Sequence, residues 1–173
     1  TKGEAMKRLL LLSLFASLTF LYVGCDSSDD ETVTPPVAQD KIVNTWISEG
    51  AGVAPGLVTL LKTVKITATF NSNNTYTVIA KDSAGAEVTY SGTYSVSENT
   101  GTTIRSITLN QSVPTSVTSQ GIYEVDAKGL MTYEVIQTTP AIDGFTPPVP
   151  SEGFGSTKYL GTPLGATYVQ GFV

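Results

Sequence analysis

Over most of the chain beyond residue 40, apolar and polar positions alternate with a period of two. That period marks a strand with one face buried and the other in water. In 62–70, Val64, Ile66, Ala68 and Phe70 fall on one side and Thr63, Lys65, Thr67 and Thr69 on the other. In 75–81, Tyr76, Val78 and Ala80 share a face. The clearest run is 88–96, where Val88, Tyr90, Gly92, Tyr94 and Val96 oppose Thr89, Ser91, Thr93 and Ser95. Gly92 is expected at a bend or at a close approach of two backbones. Segments 42–48, 104–111, 122–126, 130–137 and 167–173 bring the total to about eight strands.

The connections carry turn chemistry: Asn71-Ser72-Asn73-Asn74, Asp82-Ser83-Ala84-Gly85, Asn99-Thr100-Gly101 and Ala127-Lys128-Gly129. Short turns between consecutive strands describe an all-β antiparallel meander, which closes into a barrel or folds into a β-sandwich. Residues 56–61 fit one helical turn. Residues 138–166 are rich in Pro and Gly and read as one long loop. Loops of that length are usually functional or mobile, and this one is expected to shape or cover the mouth of a barrel.

The first 40 residues follow a different pattern. Met6-Lys7-Arg8 is a short basic start, and 9–23 is an almost unbroken apolar run ending at Gly24. Basic start, short apolar stretch and small residue make a secretory signal over 1–24. The run is shorter than the roughly 20 residues of a spanning helix. Leu21-Tyr22-Val23-Gly24-Cys25 resembles a bacterial lipobox, with Tyr22 where leucine is usual. The resemblance implies cleavage before Cys25 and acylation of its sulfur. Cys25 is the only cysteine, so it has no disulfide partner within the chain. The alternative is an ordinary signal followed by an unpaired thiol. Residues 25–40 read as a flexible acidic tether. Within it, Ser28-Asp29-Asp30-Glu31 resembles the export signal of Bacteroidetes-type surface lipoproteins. It implies an outer-membrane protein facing the cell exterior, the alternative being the periplasmic face.

Residues 41–173 then form the folded domain. Trp46, Phe70 with Tyr76, Gly92-Thr93-Tyr94 and Tyr133-Glu134-Val135 resemble fragments of lipocalin-like lipoproteins of Bacteroidetes. That resemblance implies a small barrel able to hold a ligand. Trp46, Phe70, Tyr76, Tyr90 and Tyr94 are the candidate cavity wall, the alternative being that they simply fill the core. Asp82-Ser83-Ala84 resembles the Asp-Ser/Thr-aliphatic O-glycosylation site of the same bacteria, which makes Ser83 a candidate acceptor; its plainer reading is a turn.

Composition narrows the chemistry. Charged residues are 14% and apolar residues 40%, a balance that favours a folded domain over a disordered chain. The net charge is −5, and removing 1–24 takes away Lys2, Lys7, Arg8 and Glu4, leaving a still more acidic remainder. An acidic chain without a basic patch repels phosphate backbones, so nucleic acid is not an expected partner. The chain has no histidine, which removes Ser–His and Cys–His pairs and the commonest metal ligand. Glu124 and Asp126 share a strand face, as a glycosidase pair would, but read more simply as a solvated edge. Gly153-Phe154-Gly155 lacks the Lys-Ser/Thr of a phosphate loop. Arg105 and Lys65 are expected to face outward, with a buried Arg105 that receives a ligand carboxylate as the alternative. The expectation is a non-enzymatic protein with no cofactor and no metal, anchored to a membrane by lipid and binding a small apolar or amphipathic molecule. The alternative is an envelope structural or adhesion module that contacts a protein or glycan. A largely apolar cavity of about 300 Å³ or more separates the two.

Overall fold

The structure, a computed structural model, describes residues 39–173. The signal segment, Cys25 and nearly all of the tether lie outside these residues. Among the described residues eleven strands form: β1 (Thr45–Glu49), β2 (Thr63–Phe70), β3 (Thr75–Asp82), β4 (Glu87–Ser97), β5 (Arg105–Val113), β6 (Val117–Val125), β7 (Met131–Thr139), β8 (Phe145–Thr146), β9 (Lys158–Tyr159), β10 (Thr162–Pro163) and β11 (Gln170–Phe172). One short helix, α1 (Pro55–Leu61), joins β1 to β2. Pro55 suits its first turn, where no backbone N–H is needed, and Lys62 ends it in the left-handed region at φ 56°.

Strands β1 to β7 and then β11 make one antiparallel sheet in chain order. The sheet is nearly closed into a barrel. Across its last gap, Ile47 and Val173 exchange both backbone hydrogen bonds at 2.9 Å, the mark of an antiparallel pair. Two hairpins share one piece of turn chemistry. Asp82 Oδ1 accepts the N–H groups of Ala84 and Ala86, each at 2.9 Å, and Asp126 Oδ1 accepts those of Lys128 at 2.8 Å and Leu130 at 2.9 Å. The Leu130 amide, followed by that of Lys128, holds the Asp126 carboxyl below its ordinary pKa.

Alternate connections of a meander lie at the same end. One end therefore holds turns 71–74, 98–104 and 126–130, together with the entering segment 39–44. The other holds α1, turns 83–86 and 114–116, and the loop after β7. The first end is plugged. Ile42 is fully buried there, and the Trp46 indole N–H donates to its carbonyl at 2.8 Å. Asp40 Oδ1 accepts from the Ile42 amide at 2.9 Å and from the Tyr123 hydroxyl at 2.8 Å, while its Oδ2 lies 3.0 Å from the Arg105 guanidinium.

Several boundaries differ from the sequence pattern. A bulge between Thr63 and Lys65 shifts parity in β2, so Thr63 is buried and Val64, expected inside, is 42% exposed. β1 starts at Thr45 rather than 42, because Ile42 belongs to the plug. β6 starts five residues before the expected 122, and the strand expected over 167–173 begins only at Gln170, after the 3-10 turn Gly165–Tyr168. Arg105 shares the inward parity of Ile107 and Leu109, not the outward face expected of it. Lys65 does face outward, 3.3 Å from Glu49.

The long loop is more ordered than expected. β7 runs to Thr139, and β8, β9 and β10 form a second small sheet. The loop straps onto the outer face of β7 through Glu134, which is fully buried. Its carboxyl oxygens accept the N–H groups of Gly155 at 2.6 Å and Thr157 at 2.9 Å. Ile122, paired with Glu134 across β6 and β7, is covered as well.

Two glycines permit the sharpest strand contacts. A Cβ on Gly92 would lie 2.0 Å from the Asn110 carbonyl oxygen, and one on Gly121 would lie 2.0 Å from that of Glu134. Gly121→Ala should therefore cost about 2 kcal/mol or more, from forced backbone displacement. Gly171→Ala, whose nearest new neighbour is at 3.8 Å, should cost well under ~1 kcal/mol. Urea unfolding of the two variants checks this, and equal midpoints would contradict it. Glu134→Ala strands two amides at roughly 1–3 kcal/mol each. It should open the loop to limited proteolysis between 140 and 165 while the barrel keeps its circular dichroism.

Candidate functional site

Inside the barrel, toward the end that carries α1, is a cavity of about 290 Å³. The period-two rule builds its wall. Ile66 and Ala68 come from β2, Val78 and Ala80 from β3, Tyr90 from β4, Leu109 and Gln111 from β5, Ser119 from β6, and Val135 from β7. Two of these inward positions are alanines, and their small side chains leave space that a Leu or Phe would fill. Leu57 and Leu61, one turn apart on α1, cover the mouth together with Tyr168. Leu61 is 58% exposed, so the cavity reaches the surface beside it.

Aromatic rings make the floor. Phe70, Tyr76, Tyr133 and Phe172 all line the cavity. Phe70 stacks on Tyr76 at 6.1 Å between centroids, and Tyr133 meets Phe172 edge-on at 6.0 Å. Thr63, Gln111, Ser119 and Gln170 add polar groups, and four tyrosines add phenols.

Of the five aromatic residues singled out from the sequence, Phe70, Tyr76 and Tyr90 line the cavity. Trp46 and Tyr94 do not. Both are buried and directed at the plugged end, Trp46 onto the Ile42 carbonyl and Tyr94 onto the Asn71 carbonyl at 2.9 Å. Tyr94 also meets Phe70 edge-on at 5.1 Å, beneath the floor. Leu109 and Gln111 were not singled out, although they share the parity of Ile107 in 104–111, a signal that could have found them. Thr63 was hidden by the bulge, and Leu57 and Leu61 have no period-two signal because they lie on α1; Tyr168 shares the parity of Gln170 and Phe172 in the expected strand 167–173, a signal that could have found it.

The other sequence candidates fall elsewhere. Ser83 is exposed at the tip of the β3–β4 turn, at the mouth end. Arg105 is held by Asp40 and lies 3.4 Å from Glu98, at the plugged end. Glu124 accepts from the Thr103 hydroxyl, and Asp126 caps its turn. Among the described residues no cluster of His, Cys, Asp and Glu could hold a metal ion, and no helix is long and apolar enough to cross a membrane.

Burial raises the pKa of four tyrosines above the ordinary 10: Tyr76, Tyr94, Tyr123 and Tyr133. Desolvation of the phenolate is the largest cause in each. Asp40 adds to it at Tyr94 and Tyr123, and Tyr76 adds to it at Tyr133. The fold prefers the neutral phenols, which costs nothing below the unfolded-state value near 10. Above that value the unfolded chain releases more protons, so stability falls as pH rises. Absorbance at about 295 nm, which follows phenol ionisation, should show the buried four ionising only together with loss of the near-ultraviolet circular dichroism. Ionisation of these four while the folded signal persists near pH ~10 would refute this.

Compared with known proteins, the chain matches no family model, no curated protein and no solved structure.

Proposed function

We propose that this protein is a membrane-anchored, lipocalin-like lipoprotein whose barrel binds a small apolar or amphipathic molecule. The observation that carries the reading is the cavity: about 290 Å³, lined mainly by apolar side chains and reached beside an exposed leucine at one end. Its size sits at the lower edge of known small-molecule sites. A solid barrel, as an adhesion module would have, needs no alanines at 68 and 80. The anchor rests on the lipobox resemblance at Cys25, and the outward orientation on the acidic run after it. Segment 39–44 enters the barrel at the plugged end, opposite the mouth. Such an arrangement suits a carrier that takes its ligand from the surroundings.

The test uses the neutral fluorophore N-phenylnaphthylamine and the folded domain. Its emission should rise on binding. Ala80→Phe should weaken that binding by at least about tenfold, roughly 1.4 kcal/mol, with the strand signal unchanged. Ala68→Leu is a second filling variant should the first fail to fold. An equal response from wild type and a folded filling variant would refute the carrier reading.

A further inference from the structure

We propose that the molecule the cavity accepts is uncharged, with an apolar body and a hydrogen-bonding group. This deepens the carrier reading and rests on it. None of the eighteen residues lining the cavity is Asp, Glu, Lys or Arg. The polar groups there are hydroxyls and amides: Thr63, Gln111, Ser119 and Gln170, with the tyrosine phenols. These can satisfy an alcohol, a carbonyl or an amide, but they offer no counter-charge. A carboxylate or ammonium group inside would give up its hydration without an ion partner, and that cost is far larger than for a neutral polar group.

Among the described residues, the inward-facing cation of the barrel is not available either. Arg105 lies at the plugged end, on the far side of the aromatic floor, with Asp40 at 3.0 Å and Glu98 at 3.4 Å. At the mouth end, the Lys62 ammonium donates to the Thr59 carbonyl at 3.2 Å, and Lys81 lies 3.7 Å from Glu87. Neither lysine lines the cavity.

Three probes of matched length separate the possibilities: 1-decanol, decanoate and decylammonium, each titrated calorimetrically into the domain at pH ~8, where the latter two are fully charged. The alcohol should bind at least tenfold tighter than either ion, and Ala80→Phe should abolish its heat. Equal affinity for all three would overturn the inference and leave the carrier reading standing. Decanoate matching the alcohol would place its head at the Lys62 rim and would equally overturn it. Silence from all three, where N-phenylnaphthylamine still binds, overturns the inference that a neutral molecule with an alcohol-type hydrogen-bonding head is what the cavity accepts. Silence from the fluorophore as well is the failure of the carrier reading itself.

Discussion

Bending one antiparallel sheet until its first and last strands exchange hydrogen bonds forces every second side chain into a single shared interior. The rest of this structure follows from that constraint. The Ile47–Val173 pair completes the ring, and closure leaves the edges of β1 and β11 partnered there. Close strand packing of this kind needs points where a side chain would collide with the neighbouring backbone. Gly92 and Gly121 supply two, on the inward parity of β4 and β6. What fills the interior is then decided position by position. Aromatic rings and the Trp46–Ile42 contact fill one end, and alanines at 68 and 80 leave the other partly empty.

The two ends are also treated differently by polar chemistry. At the plugged end, Asp40 gathers an amide, a phenol and a guanidinium around one carboxylate, and so ties the entering segment to β5 and β6. Burying such a group is tolerable because its partners are in place. On the outer wall, Glu134 plays the corresponding part for the exiting loop, accepting two amides from residues distant in sequence. The loop can therefore carry Tyr168 and Gln170 to the cavity from a fixed base, instead of hanging over the mouth as a free cover.

Much of the barrel was legible because its signal is local. Strand parity and turn residues depend only on neighbours along the chain, and in 75–81 and 88–96 they assign the inner face position for position. The failures are equally physical. The bulge after Thr63 inserts one residue and reverses parity behind it, and no composition rule marks it. The stretch 117–121, Val-Thr-Ser-Gln-Gly, has only one apolar residue, yet it is strand because β5 and β7 both need a partner between them. Glu134 looks like an outward, solvated position until the loop that covers it is known. The wall was half legible for a related reason: an aromatic on the inner face belongs to plug or cavity according to its height along the barrel axis, and alternation is blind to height.

Height also decides what the cavity can recognise. The inward positions nearest the plug hold the interior's charge, Arg105, and neutralise it with Asp40. The positions above the aromatic floor hold only hydroxyls, amides and phenols among aliphatic groups. Selectivity in such a space comes from shape and from the cost of desolvating the guest, not from ion pairing. Small residues such as Ala80 then set the volume limit, and the absence of a counter-ion among the lining residues sets the charge limit. In the proposed carrier, a barrel built this way would discriminate mainly by exclusion, through volume and the cost of desolvation.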